Sequence, residues 1–154
     1  MKIPFLSRFT DDNTDPILPK ITYARSVGAG QKARFGALLG GILRELPELL
    51  AVSVVELRSG ELLATHHVTG KSNPAKAAAY NAEVIKQKQL ALQAMGLASE
   101  EAIEDILITL SSQWHVLRLL PGQRHFVHLM VSTRDTNLAL ARAVMQAKAA
   151  EAAT

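Results

Sequence analysis

The stretch ILITLSSQWHVLRLLPGQRHFVHLMVST (106–133), continued by RDTNLALARAVMQAKA (134–149), decides the fold. It holds three β-type runs: Ile106 to Leu110, Trp114 to Leu120 and His125 to Val131. Branched and aromatic residues fill each run, and turn formers separate them, Ser111-Ser112-Gln113 and then Pro121-Gly122-Gln123-Arg124. Connections this short join antiparallel neighbours. The apolar spacing then changes from two to three and four. Leu138, Ala141 and Met145 alternate with Leu140, Val144 and Ala147 above a polar edge of Arg142, Gln146 and Lys148. That predicts a closing helix, capped by Asp135 or Thr136.

Immediately upstream, the run SEEAIED reads as a linker, with Glu100, Glu101, Glu104 and Asp105 in water. Before it, Ala75 to Met95 is the longest predicted helix, with Ser72 or Asn73 as its cap, Pro74 in its first turn and Gly96 as its stop. Its apolar arc is wide. Ala78, Ala82, Ile85 and Leu92 form one stripe, Val84, Ala91 and Met95 an adjacent one, and Asn81 and Lys88 lie between them. A helix that packs on one sheet needs one stripe, so the second stripe implies a second contact.

Further upstream, Ala51 to Leu57 and Leu62 to Val68 read as a hairpin closed by Arg58-Ser59-Gly60-Glu61. Val52 and Val54 point one way, and Ala51, Ser53, Val55 and Leu57 the other. Both sets are largely apolar, which implies a sheet covered on both faces. A first helix is expected from Gln31 to Leu46, with Phe35, Leu38, Leu39, Ile42, Leu43 and Leu46 on one stripe and Pro47 as its end. Gly36, Gly40 and Gly41 inside it each cost about 1 kcal/mol against Ala, and imply close approach of another element. Residues 1–30 carry Asp11, Asp12, Asn13, Pro16, Pro19, Gly28 and Gly30, and read as an extension: a loosely packed arm or a partner-binding segment.

The expectation is an α+β domain over 31–150 with a 151–154 tail, in the order α-β-β-α-β-β-β-α. Its five-stranded antiparallel sheet carries helices on both faces, a profilin-like or roadblock-like layout.

Composition removes several function classes. There are 154 residues with no cysteine, which excludes disulfides, thiol catalysis and thiolate metal sites. A net charge of +3 with only 5% aromatics lacks the dense basic, stacking face of a nucleic-acid binder. No apolar run nears the ~20 residues of a membrane span, and MKIPFLSRF has no apolar core of a secretory signal. A cytoplasmic protein is expected. GAGQKARFG (28–36) and TGKSNP (69–74) lack the glycine spacing of a phosphate loop. Of the five histidines, His66 and His67 alternate to opposite strand faces, as do His125 and His128, while His115 could neighbour one of the latter. No metal, cofactor or catalytic set is expected, and Trp114 reads as a core or interface anchor.

Two segments carry a resemblance. LPELLAVSVVELRSGELLATH (46–66) and HLMVSTRDTNLALARAVM (128–145), the latter with Asn137, Leu138, Leu140, Ala141 and Arg142, resemble the roadblock / dynein light chain family, including its bacterial members. The likeness extends over Gln31 to Ala150 and rests on hydrophobic pattern. It implies a non-catalytic homodimer or heterodimer, joined through its long second helices and third strands, that regulates or scaffolds a small Ras-like GTPase or a larger assembly. The dimer residues so implied are Ala78, Asn81, Ala82, Val84, Ile85, Lys88, Ala91, Leu92 and Met95 on the helix and Ile106, Ile108 and Leu110 on the strand. The alternative is a small-molecule-sensing domain, with Asn81 and Lys88 lining a pocket.

Overall fold

The computed structural model describes residues 19–68, 70 and 73–152. Its elements are β1 (Thr22–Tyr23), α1 (Ala29–Glu45), β2 (Ala51–Glu56), β3 (Leu62–His67), α2 (Pro74–Ala94), β4 (Asp105–Thr109), β5 (Gln113–Leu119), β6 (His125–Ser132) and α3 (Leu138–Glu151). The strands form one antiparallel sheet in the order β1-β3-β2-β6-β5-β4. The two hairpin groups therefore meet at β2 and β6, with Val52 opposite Leu129 and Val54 opposite Val127.

The sheet has six strands, not five, because β1 comes from the stretch expected to be an extension. Two residues are too few for any alternation to show in sequence. Thr22 pairs with Thr65 and Tyr23 with Ala64, and the Ala24 amide donates to the Leu63 carbonyl at 2.9 Å. Gly36 makes the close approach possible: a Cβ there would sit 2.6 Å from the Tyr23 hydroxyl. Gly41 plays the same part against α3, where a Cβ would meet the Lys148 chain at 3.1 Å.

Strand alternation divides the core in two. Val52, Val54, Val116, Val127, Leu129 and Val131 face α1 and α3, and join Phe35, Leu39, Ile42, Val144 and Met145. Val55, Leu57, Leu117, Leu119 and Phe126 face α2 and meet Ala78, Ala82 and Ile85. Each fully buried side chain of this size stabilises the fold by about 1.5–3 kcal/mol.

The helix ends follow from side chains that satisfy free backbone groups. Asn73 Oδ1 accepts from the Lys76 amide at 3.1 Å, so Asn73 caps α2; Ser72 lies outside the described residues. Gly96, at φ +72°, ends that helix. The cap of α3 is neither Asp135 nor Thr136 but Asn137, whose Oδ1 accepts from the Leu140 amide at 3.0 Å. The glycine-rich run before α1 serves as a helix entry, with the Gly28 amide donating to Gln31 Oε1 at 3.3 Å.

Candidate interaction surface

The outward face of α2 and the edge strand β4 offer the most unpartnered apolar and backbone surface. Alanine at positions 78 and 82 lets α2 lie close to the sheet, where it packs on β2 and β3. Ala78, Asn81, Ala82 and Ile85 are consequently buried in the chain's own core. These four candidates sit under the helix, occupied by the sheet, and present no free surface to a second molecule. The other helical candidates lie outside: Val84, Lys88 and Met95 are exposed, the last at 62%, and Ala91 and Leu92 are half-buried. Tyr80, 67% exposed, extends this outer stripe because it lies four residues before Val84. Leu90 and Leu97 are exposed as well. Sequence reasoning missed all three, although for Tyr80 the 80-84-91-95 spacing carried the signal.

Strand β4 pairs only with β5 among the described residues, with Ile106 opposite Leu117 and Ile108 opposite His115. The Leu110 amide donates to Gln113 O at 2.8 Å, and the Leu119 amide to Glu104 O at 3.0 Å. Alternation in an antiparallel ladder then turns the backbone N–H and C=O groups of Asp105, Leu107 and Thr109 away from β5. Ile106 and Ile108 lean on the α2-side core, half-buried, and Leu110 is 46% exposed. Open apolar edges of this kind attract further strands.

Asp105 is not a solvated linker acid. It opens β4, and its carboxylate pairs with Arg118 on β5 at 3.4 Å and Arg142 on α3 at 2.9 Å. The pair ties the edge strand to the helix layer behind it. The buried Nε of Arg118 has no hydrogen-bond partner among the described residues.

Beneath this edge, on the α2 side, runs a polar chain. His115 Nε2 lies 3.1 Å from Gln113 Oε1, and His128 Nε2 lies 3.2 Å from His115 Nδ1. Since Gln113 Oε1 only accepts, His115 carries its proton on Nε2, accepts on Nδ1, and receives the Nε2–H of His128. Both imidazoles are neutral in this arrangement. Burial pushes His128 down to about 3, with the charge of His115 adding to it, and burial lowers His115 too. His125 lies on the opposite face, edge-on to Phe35 at 5.5 Å. The described residues hold no group of three or more potential metal ligands. No helix among them is long and apolar enough to cross a membrane.

Three helices on a sheet of this strand order can be set against solved structures. MglB in a tetrameric arrangement superposes with a TM-score of 0.66 at 15% identity, over 82% of this chain and 90% of that one. The gliding protein MglB of Thermus thermophilus gives 0.64 at 13% identity, over 82% and 89%. The Roadblock/LC7 domain from Streptomyces avermitilis gives 0.60 at 13% identity, over 74% and 90%. This is a roadblock-type fold. No family model matches the sequence, and no curated protein does. Identities this low show a shared roadblock architecture and leave function to be argued from this chain's own surface.

Proposed function

We propose that this chain is a non-catalytic, dimeric interaction module that regulates or scaffolds a small Ras-like GTPase or a larger assembly. The observation that carries the reading is two surfaces without a partner among the described residues. The outer stripe Tyr80, Val84, Ala91 and Met95 lies on α2, and β4 leaves one backbone edge open. Two copies related by a twofold axis would join α2 to α2 and β4 to β4, so each patch covers its own counterpart. Val84, Lys88, Ala91, Leu92, Met95, Ile106, Ile108 and Leu110 take part, while Ala78, Asn81, Ala82 and Ile85 hold the helix in place from below. The partner class comes from the roadblock resemblance, and the MglB structures share that fold. The pocket alternative is weaker, because Asn81 is buried under α2 while Lys88 is exposed.

Sedimentation equilibrium of the full chain at tens of micromolar tests the dimer. The wild type should sediment as two copies. Val84→Glu and Thr109→Pro should each give one copy with unchanged circular dichroism, since both positions are exposed and Thr109 faces the open edge. A monomeric wild type, or variants that stay dimeric, would remove the reading. GTP hydrolysis by a Ras-like GTPase from the same genome, measured with and without the dimer, then tests the partner class.

A further inference from the structure

A second surface lies on the other flank of α2, at the end of the sheet where two turns meet. The β2–β3 turn brings Arg58, the β5–β6 turn brings Gln123 and Arg124, and α2 brings Lys86 and Gln89. Together with Glu56 and Leu57 they line an open cleft of about 390 Å³. Its frame is fixed by backbone contacts. The Leu57 amide donates to the Arg124 carbonyl at 2.9 Å, joining the two turns, and Lys86 Nζ donates to the Arg58 carbonyl at 3.4 Å, joining turn to helix. The amide of Gln89 reaches that of Gln123 at 3.5 Å.

Gln123 carries a second observation. It is the only described non-glycine residue with positive φ, at +55°. A side chain held in the left-handed region costs of order 1 kcal/mol or more, and such residues gather at binding sites. The turn could place a glycine there, as it does at Gly122, but presents an amide to the cleft instead.

The charges are unbalanced. Lys86 is paired with Glu83 on its own helix, and the remaining two cations, Arg58 and Arg124, face one carboxylate, that of Glu56, which already accepts from Ser59 Oγ. Neither the Arg58 nor the Arg124 guanidinium has a hydrogen-bond or ion-pair partner among the described residues. The field reaches the neighbouring strand. His125 is lowered first by burial and then by Arg124, with Arg34 adding to the effect and Glu56 opposing it.

We propose that this cleft binds an acidic, extended segment of a protein partner. The two guanidinium forks fit Asp and Glu side chains. The Gln89 and Gln123 amides both donate and accept, as a peptide backbone requires. Leu57, 7% exposed, supplies an apolar floor. Guanidinium forks also fit a phosphate, but the Gln89 and Gln123 amides extend the polar lining beyond a single anion, and the Glu56 carboxylate would repel a dianion. Lys86 and Gln89, three residues apart, lie on one flank of α2, and Val84, Lys88, Ala91 and Met95 lie on the other. The cleft therefore stays open in the dimer proposed above and does not depend on it.

The test is fluorescence anisotropy of fluorescein-labelled hexaglutamate titrated with the full chain at low ionic strength. Arg58→Ala/Arg124→Ala removes two cleft charges. Arg44→Ala/Arg134→Ala removes two at the far end of the sheet and controls for net charge. Saturable binding that weakens about tenfold or more in the first variant and about twofold or less in the second supports the site; tenfold corresponds to 1.4 kcal/mol. Equal weakening in both variants, absence of saturable binding, or displacement by inorganic phosphate at lower concentration than by unlabelled hexaglutamate overturns it. Both variants change exposed side chains, and unchanged circular dichroism confirms that they fold. Val84→Glu should bind the peptide as the wild type does, which separates this site from the dimer surface.

Discussion

The two faces of the sheet are built to different standards of self-sufficiency. On one, α1 and α3 pack against each other, α1 on β2 and β3 and α3 on β5, and Leu39, Ile42, Val144 and Met145 lie within 3% of complete burial. On the other, α2 alone lies across β2 and β3. The β4 end of that face is lined by half-buried Ile106 and Ile108 and by the His115–His128 pair, and the helix above exposes Tyr80, Val84 and Met95. The doubly covered face closes the fold. The singly covered face is where polar groups are buried and apolar groups are left outside, a distribution typical of surfaces that another molecule completes.

The largest expected effect breaks the closed face. Ile42→Ala should lower stability in urea or guanidinium unfolding by about 2–5 kcal/mol, since Ile42 is fully buried in the core that α1 and α3 share with the sheet. Acid should act next, and on the other face. A histidine whose folded value lies below the ordinary 6.5 adds stability while it is neutral in both states. That contribution is complete above about pH 6.5 and is lost as pH falls toward the folded value of His128, about 3. Unfolding midpoints taken at intervals from pH 7 to pH 4 should fall less in His128→Leu than in the wild type; equal slopes would show that the pair does not govern acid sensitivity. The smallest effect belongs to the outer stripe. Met95→Ser should change unfolding of the isolated chain by about 0.5 kcal/mol or less while weakening self-association at the same concentration. A large loss of stability without change in mass would place Met95 in the core rather than at the surface.

Much of this contrast was readable from residues alone. Val52 and Val54 against Val55 and Leu57 announced a sheet covered on both sides, and the doubled stripe of α2 announced an inner and an outer face. What escaped depended on distant partners or on brevity. Asp105 looked like one acid among several because Arg118 and Arg142 lie 13 and 37 residues away. Asn137 was hidden as a cap by two equally suitable neighbours, Asp135 and Thr136. β1 carries two residues between a proline-rich stretch and a glycine, and only the space above Gly36 shows why Tyr23 stops there. The outer stripe was drawn one turn too short, without Tyr80, and its inner members were assigned to a surface that the sheet occupies. Nothing in the spacing of Arg58, Lys86 and Arg124 reveals that two turns and a helix bring them together.

The Tyr23 hydroxyl resting over Gly36 also sets the stoichiometry that strand pairing can reach. A sheet with two bare margins can accept a neighbour on each side and grow without limit, copy upon copy, into a fibre. Here the β3 margin is plugged over Leu63 to Thr65 by the chain's own Thr22, Tyr23 and Ala24. Among the described residues β1 leaves a margin of only two residues and β4 the one long margin, so the β4-to-β4 pairing of the proposed dimer would use both long margins at once. Growth by that route ends at two.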